Sequence, residues 1–144
     1  MYKKILFATD NSIYSKKALP HLLEIAENHN AEVLLFNAYY IPDYFKSEEE
    51  NHYIYFEKME KNMIEHGNKI LAEVEQSLEE KNISSKIVLN KGPVGPAIVE
   101  TANNENCDLI IIGTRGLGKI RNPLISSVTN YVVNNAKCSL LLVQ

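Results

Sequence analysis

No stretch of this chain stays apolar for anything near the ~20 residues that a membrane-spanning helix needs. Nor does it carry the positive charge that would draw it to nucleic acid or an anionic membrane surface, because its formal net charge is −3. Cysteine is scarce. The two present, Cys107 and Cys138, each adjoin an apolar run. They read as buried free thiols of a reducing compartment, with a disulfide as the alternative. The four histidines, His21, His29, His52 and His66, have no short spacing to Cys, Asp or Glu of the kind that holds a metal. No G-x-S-x-G elbow is present, so an esterase triad lacks support. The opening MYKKILFATD has too short an apolar run for a signal peptide and is broken by Thr9 and Asp10. It reads as a strand. What remains is an ordinary cytoplasmic globular chain, 45% apolar and 23% charged, with one domain over its 144 residues and neither nucleic acid nor membrane as a partner.

Apolar runs of strand length are what the chain has in place of those features. KILFAT (4–9), EVLLFNA (32–38), DLIIIG (108–113) and SLLLV (139–143) are four, and the weaker SKIVLN (85–90) is a fifth. Most lack polar alternation, as strands covered on both faces do. Helical spacing separates them: Ser12 to Asn28, residues 53–80, a segment opening near Pro96, and a last one from Ser126-Ser127 to about Asn135, where Ser127 reads as the N-cap. Alternating strands and helices predict a parallel sheet with helices on both faces. Ligands of such sheets bind beyond the carboxyl ends of the strands, where strand order reverses. That rule selects Ala8-Thr9-Asp10, Asn37-Ala38-Tyr39 and the stretch from Gly113 onward. The acidic, aromatic connection DYFKSEEENHYIYF (43–56) reads as a lid, a partner surface, or a solvated loop leading into a helix.

GTRGLGKI (113–120) has the spacing of a P-loop, with Gly113 followed by Gly118-Lys119. The P-loop then needs a Ser or Thr hydroxyl for Mg²⁺ and an immediate helix. This chain has Ile120, then Asn122-Pro123, which disfavours helix. The Walker reading therefore fails twice. Gly113, Gly116 and Gly118 still allow backbone N–H groups to approach an anion, Arg115 and Lys119 add charge, and Ser126-Ser127 open a helix whose positive end also favours one. The plainer readings are a tight turn with solvated cations, and Asp10 as a cap for the first helix.

Gly113-Thr114-Arg115-Gly116, nine residues, then Ser126-Ser127-Val128-Thr129 resembles the Gly-x2-Gly-x9-Gly-Ser/Thr signature of the universal stress proteins. The strand ending in ATD before Asn-Ser, the stretch GPVGPAIVETANNENCDLIIIGTRG and the closing apolar strand extend the resemblance over nearly the whole chain. It implies an α/β fold, Rossmann-like, with a five-stranded open parallel sheet of order 3-2-1-4-5. It implies that Asp10 lies by the ribose and adenine, that backbone at Ala38 meets the adenine, and that Gly113, Arg115, Gly116, Ser127 and Val128 hold phosphates. With their neighbours, the candidate nucleotide-binding residues are Ala8, Thr9, Asp10, Ala38, Ile112, Gly113, Arg115, Gly116, Gly118, Ser126, Ser127, Val128 and Thr129. The ligand implied is ATP, with Mg²⁺ bound through its phosphates, and the closing strand 139–143 implies a homodimer, which would also protect an apolar sheet edge.

Ser126 departs from the signature, which has glycine there. If positive φ is required, serine costs about 1–2 kcal/mol. If its hydroxyl donates to a charged group, the gain is about 1.5–3 kcal/mol. The sequence leaves that balance open. No general base stands beside the glycine loop, so the expectation is a non-enzymatic stress-response sensor that binds ATP without turnover. The alternatives are a relative that no longer binds nucleotide and acts through its dimer, and a weak ATPase.

Overall fold

The computed structural model describes residues 1–41, 50–116 and 125–144. In chain order it contains β1 (Lys4–Ala8), α1 (Ile13–His29), β2 (Glu32–Tyr39), α2 (Glu50–Glu79), β3 (Ser85–Lys91), α3 (Val94–Asn104), β4 (Leu109–Gly113), α4 (Ser127–Asn135) and β5 (Ser139–Val143). The sheet has five strands in the order β3-β2-β1-β4-β5, and every pairing is parallel. Strand order therefore reverses between β1 and β4, as the expected order requires. The helical part of the aromatic connection belongs to α2, and the part before Glu50 lies outside the described residues.

The unbroken apolar runs have a direct cause. Odd-numbered strand residues Ile5, Phe7, Val33, Leu35, Leu109 and Ile111 pack with Ala18, Leu22 and Ala26 of α1 and Leu71 and Leu78 of α2. Even-numbered Leu6, Ala8, Leu34, Phe36, Ile110 and Ile112 pack with Ile98, Val99 and Ala102 of α3 and Val132 of α4. The central strands β1, β2 and β4 are thus buried on both faces, and neither periodicity nor polarity marks one side.

Three turns carry the chain from helix to strand at the amino pole of the sheet, and they share one construction. Asn30, Asn82 and Asn106 each adopt positive φ, at 52°, 57° and 55°. The next residue in each case donates its N–H back five positions: Ala31 to Ala26 O, Ile83 to Leu78 O, and Cys107 to Ala102 O. This is the Schellman arrangement, which satisfies orphan helix carbonyls and buries the apolar residue after the left-handed position. Asparagine tolerates that conformation better than other non-glycine residues. Ala31, Ile83 and Cys107 are all buried. Cys107 is therefore a packing residue: burial pushes its thiol up to about 11, and both cysteines are free.

The same pole carries charge. Lys4 Nζ lies 3.2 Å from Glu105 and 3.7 Å from Glu32, and Lys86 Nζ lies 3.4 Å from Glu105. Asp108 accepts the Lys3 N–H at 2.9 Å. These pairs join β1, β2, β3 and the α3–β4 turn.

Candidate functional site

The opposite, carboxyl pole holds a cavity of about 400 Å³. It opens where strand order reverses, between the ends of β1 and β4. From β1 and its turn come Ala8, Thr9 and Asp10; from β4 and its loop come Ile112, Gly113, Arg115 and Gly116. The first turn of α4 and its cap bring Ser126, Ser127, Val128 and Thr129, and β2 brings Ala38. Every candidate residue from the sequence lines this one cavity except Gly118, which, like Lys119, lies outside the described residues. Asn37, from the segment that the strand-end rule selects, also lines it, and so do Phe36, Ser15, Val94 and Ile98, which the sequence did not single out.

At the β2 end, ladder geometry explains why Ala38 matters. Val33 N donates to Ser84 O and Gly92 N donates to Tyr39 O, so odd residues of β2 turn their peptide groups toward β3. Thr9 N donates to Phe36 O, so even residues turn toward β1. β1 ends before it reaches Ala38. The Ala38 N–H and C=O therefore open into the cavity, as an adjacent donor and acceptor on a fixed strand. Beside them, α2 is held to the sheet by the Tyr39 hydroxyl, which donates to Glu60 at 3.0 Å, and by Lys91, which donates to the same carboxylate at 2.7 Å. Burial, and then that carboxylate, hold the Tyr39 hydroxyl above its ordinary range.

At the β4 end, the two described glycines have different reasons. A Cβ on Gly113 would sit 2.7 Å from Tyr14 Cβ and 2.9 Å from the Tyr14 carbonyl carbon, so Gly113 lets α1 pack directly on β4. That is a packing requirement, separate from any phosphate. A Cβ on Gly116 would sit 2.5 Å from Asp10 Oδ2. Gly116 thus leaves room for the Asp10 carboxylate, which accepts the Ser12 N–H at 3.0 Å. Asp10 does not cap α1; Ser12 does, accepting the Ser15 N–H at 3.2 Å.

Ser126 resolves the competing possibilities raised by the sequence. Its φ is −67° and ψ 160°, ordinary extended backbone, so serine here carries no left-handed strain. It, rather than Ser127, is the N-cap of α4. Its oxygen accepts the Thr129 N–H at 3.0 Å, and its hydroxyl donates to Thr129 Oγ1 at 2.9 Å. Thr129 then donates to Gly113 O at 3.0 Å, and Ser126 N donates to Thr114 O at 2.8 Å. The hydroxyl is engaged inside the fold, tying the start of α4 to the end of β4. Ser127 and Val128 follow in the first helical turn, whose N–H groups have no intrahelical acceptor and point their positive end at the cavity. Arg115 is not a simple solvated cation. Its guanidinium carbon lies 5.8 Å from the centre of the Tyr14 ring, on which Lys17 also sits.

A parallel sheet with helices on both faces and a cavity at its reversal point defines a doubly wound α/β protein with a ligand-type crevice. This chain belongs to the universal stress protein family, whose model matches residues 1–144. A universal stress protein of Thermus aquaticus, from the QAH/OAS sulfhydrylase 3′ region, is 34% identical with both chains covered in full, 100% of each. The solved structure of Methanocaldococcus jannaschii MJ0577 superimposes with a TM-score of 0.86 at 28% identity, covering 99% of this chain and 96% of that one. Two further structures share the fold at a TM-score of 0.71. One is a universal stress protein in complex with cAMP, at 23% identity, with 99% of this chain and 97% of that one covered. The other is from Archaeoglobus fulgidus in complex with dAMP, at 17% identity, with 99% and 98% covered. Among the described residues, no helix is long and apolar enough to cross a membrane.

Proposed function

We propose that the cavity binds an adenine nucleotide, ATP with its Mg²⁺ held through the phosphates, and that the protein acts as a sensor of it rather than an enzyme. One observation carries the reading: a base-edge donor and acceptor at Ala38, a carboxylate at Asp10, and the positive end of α4 beside Arg115 all face one cavity of about 400 Å³. Apolar walls from Ala8, Phe36, Ile98 and Ile112 suit the flat faces of a purine. That fold neighbours hold cAMP and dAMP supports the choice of an adenine ligand. Asp10 and Arg115 are the ionisable side chains among the described lining residues. In this reading Asp10 serves as a contact to the nucleotide rather than as a base for water, so no phosphate release from Mg-ATP is expected. The test is calorimetric titration of the nucleotide-stripped protein with Mg-ATP. Micromolar binding, weakened about tenfold or more by Asp10→Ala, is expected, since a hydrogen bond to a charged group contributes about 1.5–3 kcal/mol. No heat at millimolar Mg-ATP would end the proposal.

A second reading concerns assembly, and β5 supports it. β5 is an edge strand whose Leu140, Leu141 and Leu142 are half-buried in the monomer and whose sequence carries no charge. The other edge, β3, carries Lys86 and Lys91. Charged side chains blunt an edge and uncharged ones leave it open to pairing. A two-fold dimer through residues 139–143 is the expected arrangement, and sedimentation equilibrium giving the monomer mass at every concentration would refute it.

A further inference from the structure

Asn37 breaks an otherwise apolar run at the carboxyl end of β2, and its side chain does something a regular ladder does not. Its Nδ2 donates to Thr9 O at 2.7 Å. Thr9 N donates to Phe36 O, so in a continued parallel ladder Thr9 O would receive the N–H of Ala38. The Asn37 amide takes that place. Helix α2 packs close against the amide: a Cβ on Gly67 would lie 2.9 Å from Asn37 Oδ1 and 2.8 Å from Leu89 Cδ1, so a larger residue there would have to push these side chains aside.

We infer that Asn37 is a positioning residue for base recognition: by occupying the Thr9 carbonyl it keeps the Ala38 N–H and C=O turned into the cavity, where together they read the edge of an adenine. The chemistry selects adenine among purines. Adenine presents a ring-nitrogen acceptor beside an exocyclic amine donor, the complement of a peptide N–H beside a C=O. Hypoxanthine presents a carbonyl acceptor and a ring N–H donor in those places, so each would face a like group. A mismatched donor or acceptor in a desolvated site is costly because neither partner finds water. Gly67 extends the device to α2, whose approach sets where the amide sits.

The inference rests on the nucleotide reading above, and its test separates the two. The wild-type chain, Asn37→Leu and Gly67→Ala are titrated with Mg-ATP and with Mg-ITP, which differ only at the base edge. Wild type is expected to favour ATP by at least about tenfold. Asn37→Leu keeps the side-chain shape but has no donor. It lets the Ala38 N–H close onto Thr9 O, so the ATP affinity falls toward that for ITP while ITP binding stays as it was. Gly67→Ala displaces the amide and moves the ratio the same way. Equal loss of both affinities, or an unchanged ratio, overturns the inference and leaves the nucleotide reading standing. A wild type that binds neither compound overturns both. Amide hydrogen exchange on the ligand-free wild type needs no variant to fold. The Ala38 N–H is expected to exchange much faster than that of Phe36, and equal protection at the two would overturn the inference.

Discussion

The two poles of this sheet are built from the same strands and do opposite things. At the amino pole, three helix ends close on left-handed asparagines, and their following residues are buried. Lys4, Glu32, Lys86 and Glu105 then join across the strand starts. At the carboxyl pole, β1 stops early and β2 runs on past it. Backbone groups that the ladder would have consumed are left facing a cavity. One pole satisfies its polar groups internally, and the other holds them fixed and presents them. Binding groups gain from such pre-organisation because little order is lost when the ligand arrives.

Substitutions at the two poles should therefore separate affinity from stability. The largest effect is expected at Gly116. In Gly116→Val the new Cβ would sit 2.5 Å from Asp10 Oδ2, so the carboxylate, whose Oδ1 accepts the Ser12 N–H, has to shift. Mg-ATP affinity is expected to fall more than tenfold, the scale of losing a charged hydrogen bond. The thermal midpoint should move little, and an equal collapse of both would erase the distinction between the poles.

Asn106→Ala should do the reverse. It forces alanine into a left-handed position at a cost of about 1–2 kcal/mol, whereas Asn106→Gly should be nearly neutral. Urea unfolding would read the loss, and calorimetry should find the affinity of the folded protein unchanged.

Glu105→Gln should give the smallest effect. The Lys4 hydrogen bond, then Lys86, hold the Glu105 carboxyl below its ordinary range. A carboxyl with a lowered folded-state pKa stabilises above its unfolded value and loses that contribution as pH falls through the folded one. The difference in unfolding midpoint between wild type and Glu105→Gln should thus be present at neutral pH and shrink below about pH 5. The pair is solvent-screened, so the difference is small throughout. A difference that grew on acidification would contradict the assigned ion pair.

Much of the fold was legible because apolar runs of strand length alternate with helical spacing, and the β4–α4 stretch carried a recognisable glycine spacing. The caps were less so. Two serines stand together at the start of α4, and composition does not say which turns its oxygen back to the helix; the observed dihedrals assign Ser126. Asp10 likewise looked like a cap and instead accepts from Ser12 N, while Ser12 caps α1. Gly113 stands in the glycine spacing, but that spacing carries no sign that Tyr14 also needs the space beside it. Phe36, Val94 and Ile98 reach the cavity from apolar segments that resemble any other core segment. Asn37 did carry a signal, a single amide ending the run VLLF, but its meaning depended on where β1 stops.

The amino-acid sequence by itself determined the α/β class, the succession of elements, the family and the segments that would meet at the carboxyl edge. Those follow from local periodicity and from short motifs, which are properties of neighbours along the chain. Tertiary structure alone decided which hydroxyl caps α4, what space Gly113 and Gly116 leave open, and that the Ala38 peptide groups face a cavity rather than a strand. Those depend on where one strand ends relative to another that is distant in sequence, and no local pattern encodes that offset.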